Sequence, residues 1–206
     1  MEHSSRLLAI GLALTLIAPL AHAATISTVA ALSGANENPS NVSPAAGNTV
    51  VTLDTTTHQM RVQMQFVGLT SNTTASHIHC CIAPPGNAGV ATTTPAFVGF
   101  PVGVTGGSMD QTYDTTLAST WNAPFIAASG GTPLGAEAAL AVGLAAGQAY
   151  LNVHTTNFPS GEIRGFLSAQ TIPGTTAIPT LSTWAMGGLL VLLAGAGWLM
   201  LRRRLG

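Results

Sequence analysis

The chain has no lysine, and every one of its cationic residues is an arginine. Residues 24–170 hold Arg61 and Arg164 against Glu37, Asp54, Asp110, Asp114, Glu137 and Glu162. With no basic stripe to neutralise a phosphate backbone, nucleic acid is excluded as a partner. Charged residues make up 6% of the whole, so the surface of any folded domain must be built from Thr, Ser, Asn and Gln. Cysteine is nearly absent too. The two present, Cys80 and Cys81, are neighbours, which rules out a CxxC redox motif and a disulfide framework. Missing as well are a GxSxG elbow, an HExxH zinc motif and a phosphate-binding loop. The common hydrolase and nucleotide chemistries therefore have no footing here.

What the chain does have is two apolar ends. His3 and Arg6 precede an apolar run from Leu7 to Leu20, and Ala21-His22-Ala23 follows with small-x-small spacing. That layout predicts a cleaved export signal over residues 1–23, since the run is short for a bilayer span. At the other end, residues 185–201 carry no charge and Arg202, Arg203 and Arg204 follow directly. This predicts a transmembrane helix with Trp184 and Trp198 at its interfaces. The arginines would act as a cytoplasmic stop, leaving the middle of the chain outside the cytoplasm. Residues 171–180 are rich in Pro, Gly and Thr and read as a linker that takes in Ile178-Pro179-Thr180, ahead of the C-terminal segment of residues 181–206.

Between the ends, residues 24–170 suffice for one domain with its own core. Strand patterns dominate. Val51 and Leu53 alternate with polar neighbours. After the turn "TTTH", Met60, Val62, Met64 and Phe66 alternate with Arg61, Gln63 and Gln65. Further strands are predicted from Ala75 to His79, from Tyr150 to Thr155, and from Glu162 to Leu167 after the turn "NFPSG". Leu151, Val153, Ile163 and Leu167 would face inward, with Tyr150, Asn152, His154, Glu162 and Arg164 on the other face. Thr132-Pro133 opens a helix that ends at Gly147, and a short second one is expected near Pro124. Residues 83–107 read as loops with at most one short strand. The expectation is an all-β fold, an antiparallel β-sandwich with a short inserted helical segment before the last hairpin.

The chemistry gathers at "SHIHCC", residues 76–81. On a strand His77 and His79 share a face and Ile78 takes the other, which places both imidazoles on the outer face or at the sandwich mouth. His154 joins them by the same parity. Three neutral imidazoles suit copper or zinc, and a three-ligand zinc site leaves one position open. The competing reading has the three rings hydrogen-bonded to loop carbonyls. There is no loop rich in His and Asp of the kind a copper–zinc dismutase uses, and His58 sits apart in a hairpin turn. Glu162 and Arg164 are expected to pair across strands and orient His154. For Cys80 and Cys81 three outcomes stand: a vicinal disulfide, which is favoured, intermolecular bridges, or thiolate ligation beside the histidines.

Two resemblances follow from these residues. Ile178-Pro179-Thr180-Leu181-Ser182, then Trp184, the apolar run and the arginines, resemble the IPTL type of C-terminal sorting signal, similar to the PEP type on exported proteins of Gram-negative bacteria. That implies anchoring in the inner membrane, with the domain in the periplasm. An exosortase-like processing enzyme would then release it to the cell surface or beyond. Leu32 to Pro39 ("LSGANENP"), Ala75 to His79, and Tyr150 to Thr155 followed by Gly161-Glu162-Ile163-Arg164-Gly165 together resemble a CHRD domain over most of residues 24–170. Cys80-Cys81 stands where that family usually has glycine. The resemblance implies an all-β extracellular module with no general reaction. The expectation is a non-enzymatic cell-surface or matrix module that needs no cofactor and binds an unknown surface or matrix ligand. The alternative is a copper- or zinc-binding protein, or a metal-dependent oxidoreductase, using His77, His79 and His154.

Overall fold

The computed structural model describes residues 25–169. The export signal, the sorting motif Ile178 to Leu181, the apolar run and Arg202 to Arg204 lie outside the described residues. Among the described residues no helix is long and apolar enough to cross a membrane.

Eight strands form in chain order: β1 (Thr25–Ser33), β2 (Ala46–Asp54), β3 (Gln59–Val67), β4 (Thr73–Cys80), β5 (Gly107–Asp114), β6 (Ala149–Thr155), β7 (Ile163–Phe166) and β8 (Ser168–Ala169). Helices α1 (Ala123–Ala128) and α2 (Pro133–Ala145) fall between β5 and β6. The sheet order is β4-β6-β7-β1-β2-β3-β5, with β8 also on β1, and all pairings are antiparallel. The strands therefore make one curled antiparallel sheet, a sandwich-like fold whose two halves are continuous. The reason is β1, which the sequence pattern did not reveal. It pairs with β2 along its whole length, and its other edge meets β8 at Thr28 and Val29 and β7 at Ser33. One strand thus stitches the two halves together.

The period-2 patterns place the core. Met60, Val62, Met64 and Phe66 are buried with Val51 and Leu53, while Arg61 and Gln65 lie exposed. Leu151, Val153, Ile163 and Leu167 are fully buried, as expected. Each such side chain contributes roughly 2 kcal/mol from the area it removes from water. Helix α2 closes this core with Ala136, Leu140 and Leu144, spaced four apart on one face. Its start is set by Thr132, whose Oγ1 accepts from the Gly135 N–H at 3.1 Å, with Pro133 in the first turn. Its end is set by Gly147, at φ +65°. In α1, Pro124 stands in the first turn and starts the helix.

Residues 81–106 are loop, as expected, but they do structural work. Ala91 N–H donates to Ile78 O at 2.9 Å, Thr92 Oγ1 accepts from Ile78 N–H at 3.0 Å, and Thr73 N–H donates to Val104 O at 2.8 Å. The loop thereby covers the free edge of β4, whose backbone groups would otherwise stand unpaired.

Candidate functional site

The register of β4, β6 and β7 builds one polar face. His77 lies opposite Asn152, which lies opposite Arg164. His79 lies opposite Tyr150, which lies opposite Phe166. His154 lies opposite Ala75, one diagonal step from His77. Strand parity thus brings His77, His79 and His154 together, as the sequence predicts. The face is not open, however. The covering loop and the Pro159 turn bury all three rings to less than a tenth of their full exposure. Proline, glycine and alanine in that loop carry no periodic signal, so the burial could not be read from the strands.

The loops also decide which nitrogen each ring presents. His77 Nε2 donates to Pro95 O at 2.6 Å, His79 Nδ1 to Ala88 O at 2.9 Å, and His154 Nδ1 to Pro159 O at 2.9 Å. A carbonyl oxygen only accepts, so each ring hydrogen points outward to the backbone. Burial holds all three histidines below their usual range. For His77 the positive charges of His154 and His79 add to burial and bring it to about 4. At neutral pH the inward nitrogens, His77 Nδ1, His79 Nε2 and His154 Nε2, are therefore bare lone pairs. His77 Nδ1 and His154 Nε2 face each other at 3.2 Å with no hydrogen to share. His79 Nε2 has no protein partner. One ring nitrogen from each histidine lies within 4.8 Å of the others.

Two of these donors, His77 Nδ1 and His154 Nε2, have the spacing of metal ligands, with the His79 nitrogen within 4.8 Å of both. Zinc–imidazole bonds of about 2 Å in a tetrahedron put ligand nitrogens about 3.3 Å apart, close to the His77–His154 spacing. Backbone carbonyls holding the outer ring hydrogens are the usual support for metal-bound imidazole.

The other expected residues sort differently. Glu162 and Arg164 do not pair. Glu162, fully buried, accepts from Ser43 Oγ (2.6 Å), Thr155 Oγ1 (2.6 Å) and Thr70 N–H (2.8 Å). Burial pushes its carboxyl upward, but these hydrogen bonds outweigh that and hold it below the ordinary value. Arg164 Nε donates to Asn36 O at 2.5 Å, Nη1 to Asn87 Oδ1 at 2.6 Å and Nη2 to Pro85 O at 2.8 Å, so it locks the covering loop to the sheet. His154 is oriented by Pro159 O, where an acid–base pair was expected. His58 lies elsewhere, in a left-handed turn at φ 56°, with Nδ1 2.9 Å from Glu137 on α2.

Cys80 and Cys81 are paired with each other. By strand alternation Cys80 turns to the core, away from His79, and Cys81 Sγ lies 3.6 Å from Ala139 O on α2. Neither joins the histidine cluster. Glu37, Asn152 and Arg164 converge beside His79; strand parity had put Asn152 and Arg164 on this face, whereas Glu37 was not expected there. A lone acid in a neutral stretch, Glu37 within "LSGANENP", is the one hint the sequence offered.

Fold and site together define an antiparallel β domain whose histidine-bearing face is sealed beneath a long loop. The chain belongs to the CHRD domain family, which it matches over residues 28–167. Comparison with curated proteins and with solved structures gave no match.

Proposed function

We propose that this protein is an exported, membrane-sorted CHRD module that holds a copper or zinc ion through His77, His79 and His154. It acts at the cell surface or in the matrix by binding, without catalysis. The observation that carries the metal is the facing pair His77 Nδ1 and His154 Nε2, 3.2 Å apart, with both outer hydrogens committed to carbonyls. Two lone pairs at that distance repel, and a cation between them turns the contact into two bonds. Three neutral imidazoles leave one position for an outside ligand. The export reading rests on residues 1–23 and 178–206. An exosortase-like enzyme is the partner it implies.

Metal analysis after exposure to zinc or copper tests the reading. About one ion per chain is expected in the purified protein, with loss in His77→Ala and His154→Ala and retention in His58→Ala. Equal uptake by all four proteins, or none by the parent, would overturn it.

A further inference from the structure

Past His79 the polar face runs into a cavity of about 210 Å³. Its cationic and aromatic walls have spent their donors. The Arg164 nitrogens bond to Asn36, Asn87 and Pro85, and the Tyr150 hydroxyl lies 3.3 Å from Ala88 O. Its acceptors are unspent. Glu37 Oε1 and Asn152 Oδ1 have no protein partner, although these residues are 8% and 2% exposed. Buried polar atoms are almost always satisfied, so two orphans on one cavity mark a place built for an outside partner.

The wall is also cut back at that point. Gly161, at φ +126°, carries no Cβ. One placed there would lie 2.6 Å from Glu37 Oε1 and 2.8 Å from Asn152 Nδ2. A side chain would drive the carboxylate and the amide out of place, and glycine keeps both in position.

The chemistry narrows the ligand. Two unspent acceptors ask for two hydrogen-bond donors close together. A cation is opposed by the buried guanidinium of Arg164, whose Nε lies 3.8 Å from Glu37 Oε2. An anion would meet Glu37 Oε1 and find the guanidinium already engaged. What remains is a neutral molecule with adjacent hydroxyls. A second hollow, of about 310 Å³, shares Glu37, Asn38 and Ser160 with the first and continues past Phe158 and Asn157. It gives a following ring an apolar wall and amide partners.

We propose that this cavity binds a neutral saccharide, whose neighbouring hydroxyls donate to Glu37 Oε1 and Asn152 Oδ1. The proposal stands independently of the metal. If both sites are filled, His79 Nε2 belongs to the metal and the two oxygens to the sugar.

Calorimetric titration of the purified protein tests it. The probes are neutral sugars (glucose, galactose, mannose, N-acetylglucosamine, cellobiose), a soluble neutral polysaccharide, and glucosamine and glucuronate as charged counterparts. Saturable binding of at least one neutral probe is expected, roughly tenfold or more weaker in Glu37→Ala and in Asn152→Ala. Removing a donating hydroxyl from the bound sugar should cost at least as much. Binding by the small sugars assigns a free saccharide, and binding by the polymer alone assigns a glycan chain; either supports the site. His77→Ala should keep sugar binding, which separates this test from that of the metal. Melting curves of Asn152→Ala and Glu37→Ala show whether they fold. If a variant does not fold, Ser160→Trp, at the rim, should block the cavity instead. No saturable binding of any neutral probe, equal binding by folded variants, or preference for a charged counterpart would overturn the proposal.

Discussion

Gly143 of α2 presses its bare Cα against the Cys80–Cys81 pair: a Cβ there would lie 2.7 Å from Cys81 Sγ and closer still to Cys80 Sγ. This explains a residue that looks like a weakness in the helix. Gly143→Ala should gain about 1 kcal/mol of helix propensity and lose more to overpacking, which typically costs about 1–3 kcal/mol. The expected net result is a melting temperature a few degrees lower than the parent. A higher one would show that the sulfurs move aside at little cost.

The same pair gives a second expectation. The intact mass of the aerobically purified protein should be lower by two hydrogens than its reduced mass, and the protein should run as a monomer on a non-reducing gel. The partner thiol is always within reach, so closure outruns intermolecular exchange. A fully reduced mass would remove the vicinal bridge.

Glu37 ties stability to pH. Burial raises its carboxyl from 4.5 to about 7, and Arg164 opposes only part of that. The folded state therefore holds a proton that the unfolded state has released between these values. Stability from this group is full below about 4.5 and is lost as pH rises to about 7, by roughly 3 kcal/mol in all. The three buried histidines slope the other way. Their neutral folded forms favour the higher pH, and for His77 the window lies between 6.5 and about 4. The groups around Glu37 are Arg164, Tyr150 and His79. Subtracting the urea stability of Glu37→Gln from that of the parent isolates the carboxyl. A flat difference from pH 4.5 to 7 would contradict the burial.

Glu162 should be among the costliest polar residues to lose. Ser43, Thr70 and Thr155 all donate to its carboxylate, and Ser43 and Thr70 lie in loops far along the chain. Glu162→Ala leaves those donors unpaired in a dry site, at about 3 kcal/mol or more. The denaturation midpoint should fall with little change in slope. A shift under about 1 kcal/mol would mean that water replaces the carboxylate.

The sorting reading has its own test in cells. Deleting Arg202 to Arg204 should impair retention in the inner membrane, because the cytoplasmic stop is lost. Unchanged processing and location would refute the role given to the basic end.

Much of this molecule was legible in advance. Alternation at Met60–Phe66 and at Leu151–Ile163 fixes which faces pack, and the His77–His79 spacing puts both rings on one side. The N-cap at Thr132 and the glycine after α2 mark that helix. What stayed hidden has a common cause. Strand β1 is rich in Ser, Thr and Ala, and β5 (GSMDQTYD) is almost wholly polar, so both have weak hydrophobic contrast and are ordered by their neighbours. The burial of the histidine face depends on carbonyls at Ala88, Pro95 and Pro159, and a backbone oxygen leaves no mark in a sequence.

Those three carbonyls have a further consequence. Which nitrogen each histidine offers is chosen by backbone from loops, contributed by residues up to 18 positions away along the chain for His77. An unfolded or half-folded copy holds the same imidazoles with their tautomers unassigned and their spacing lost. Under the metal reading proposed above, uptake would be a certificate of completed assembly: an ion held at full strength would report that the long loop has docked, that the Pro159 turn has closed, and that β4 and β6 are in register.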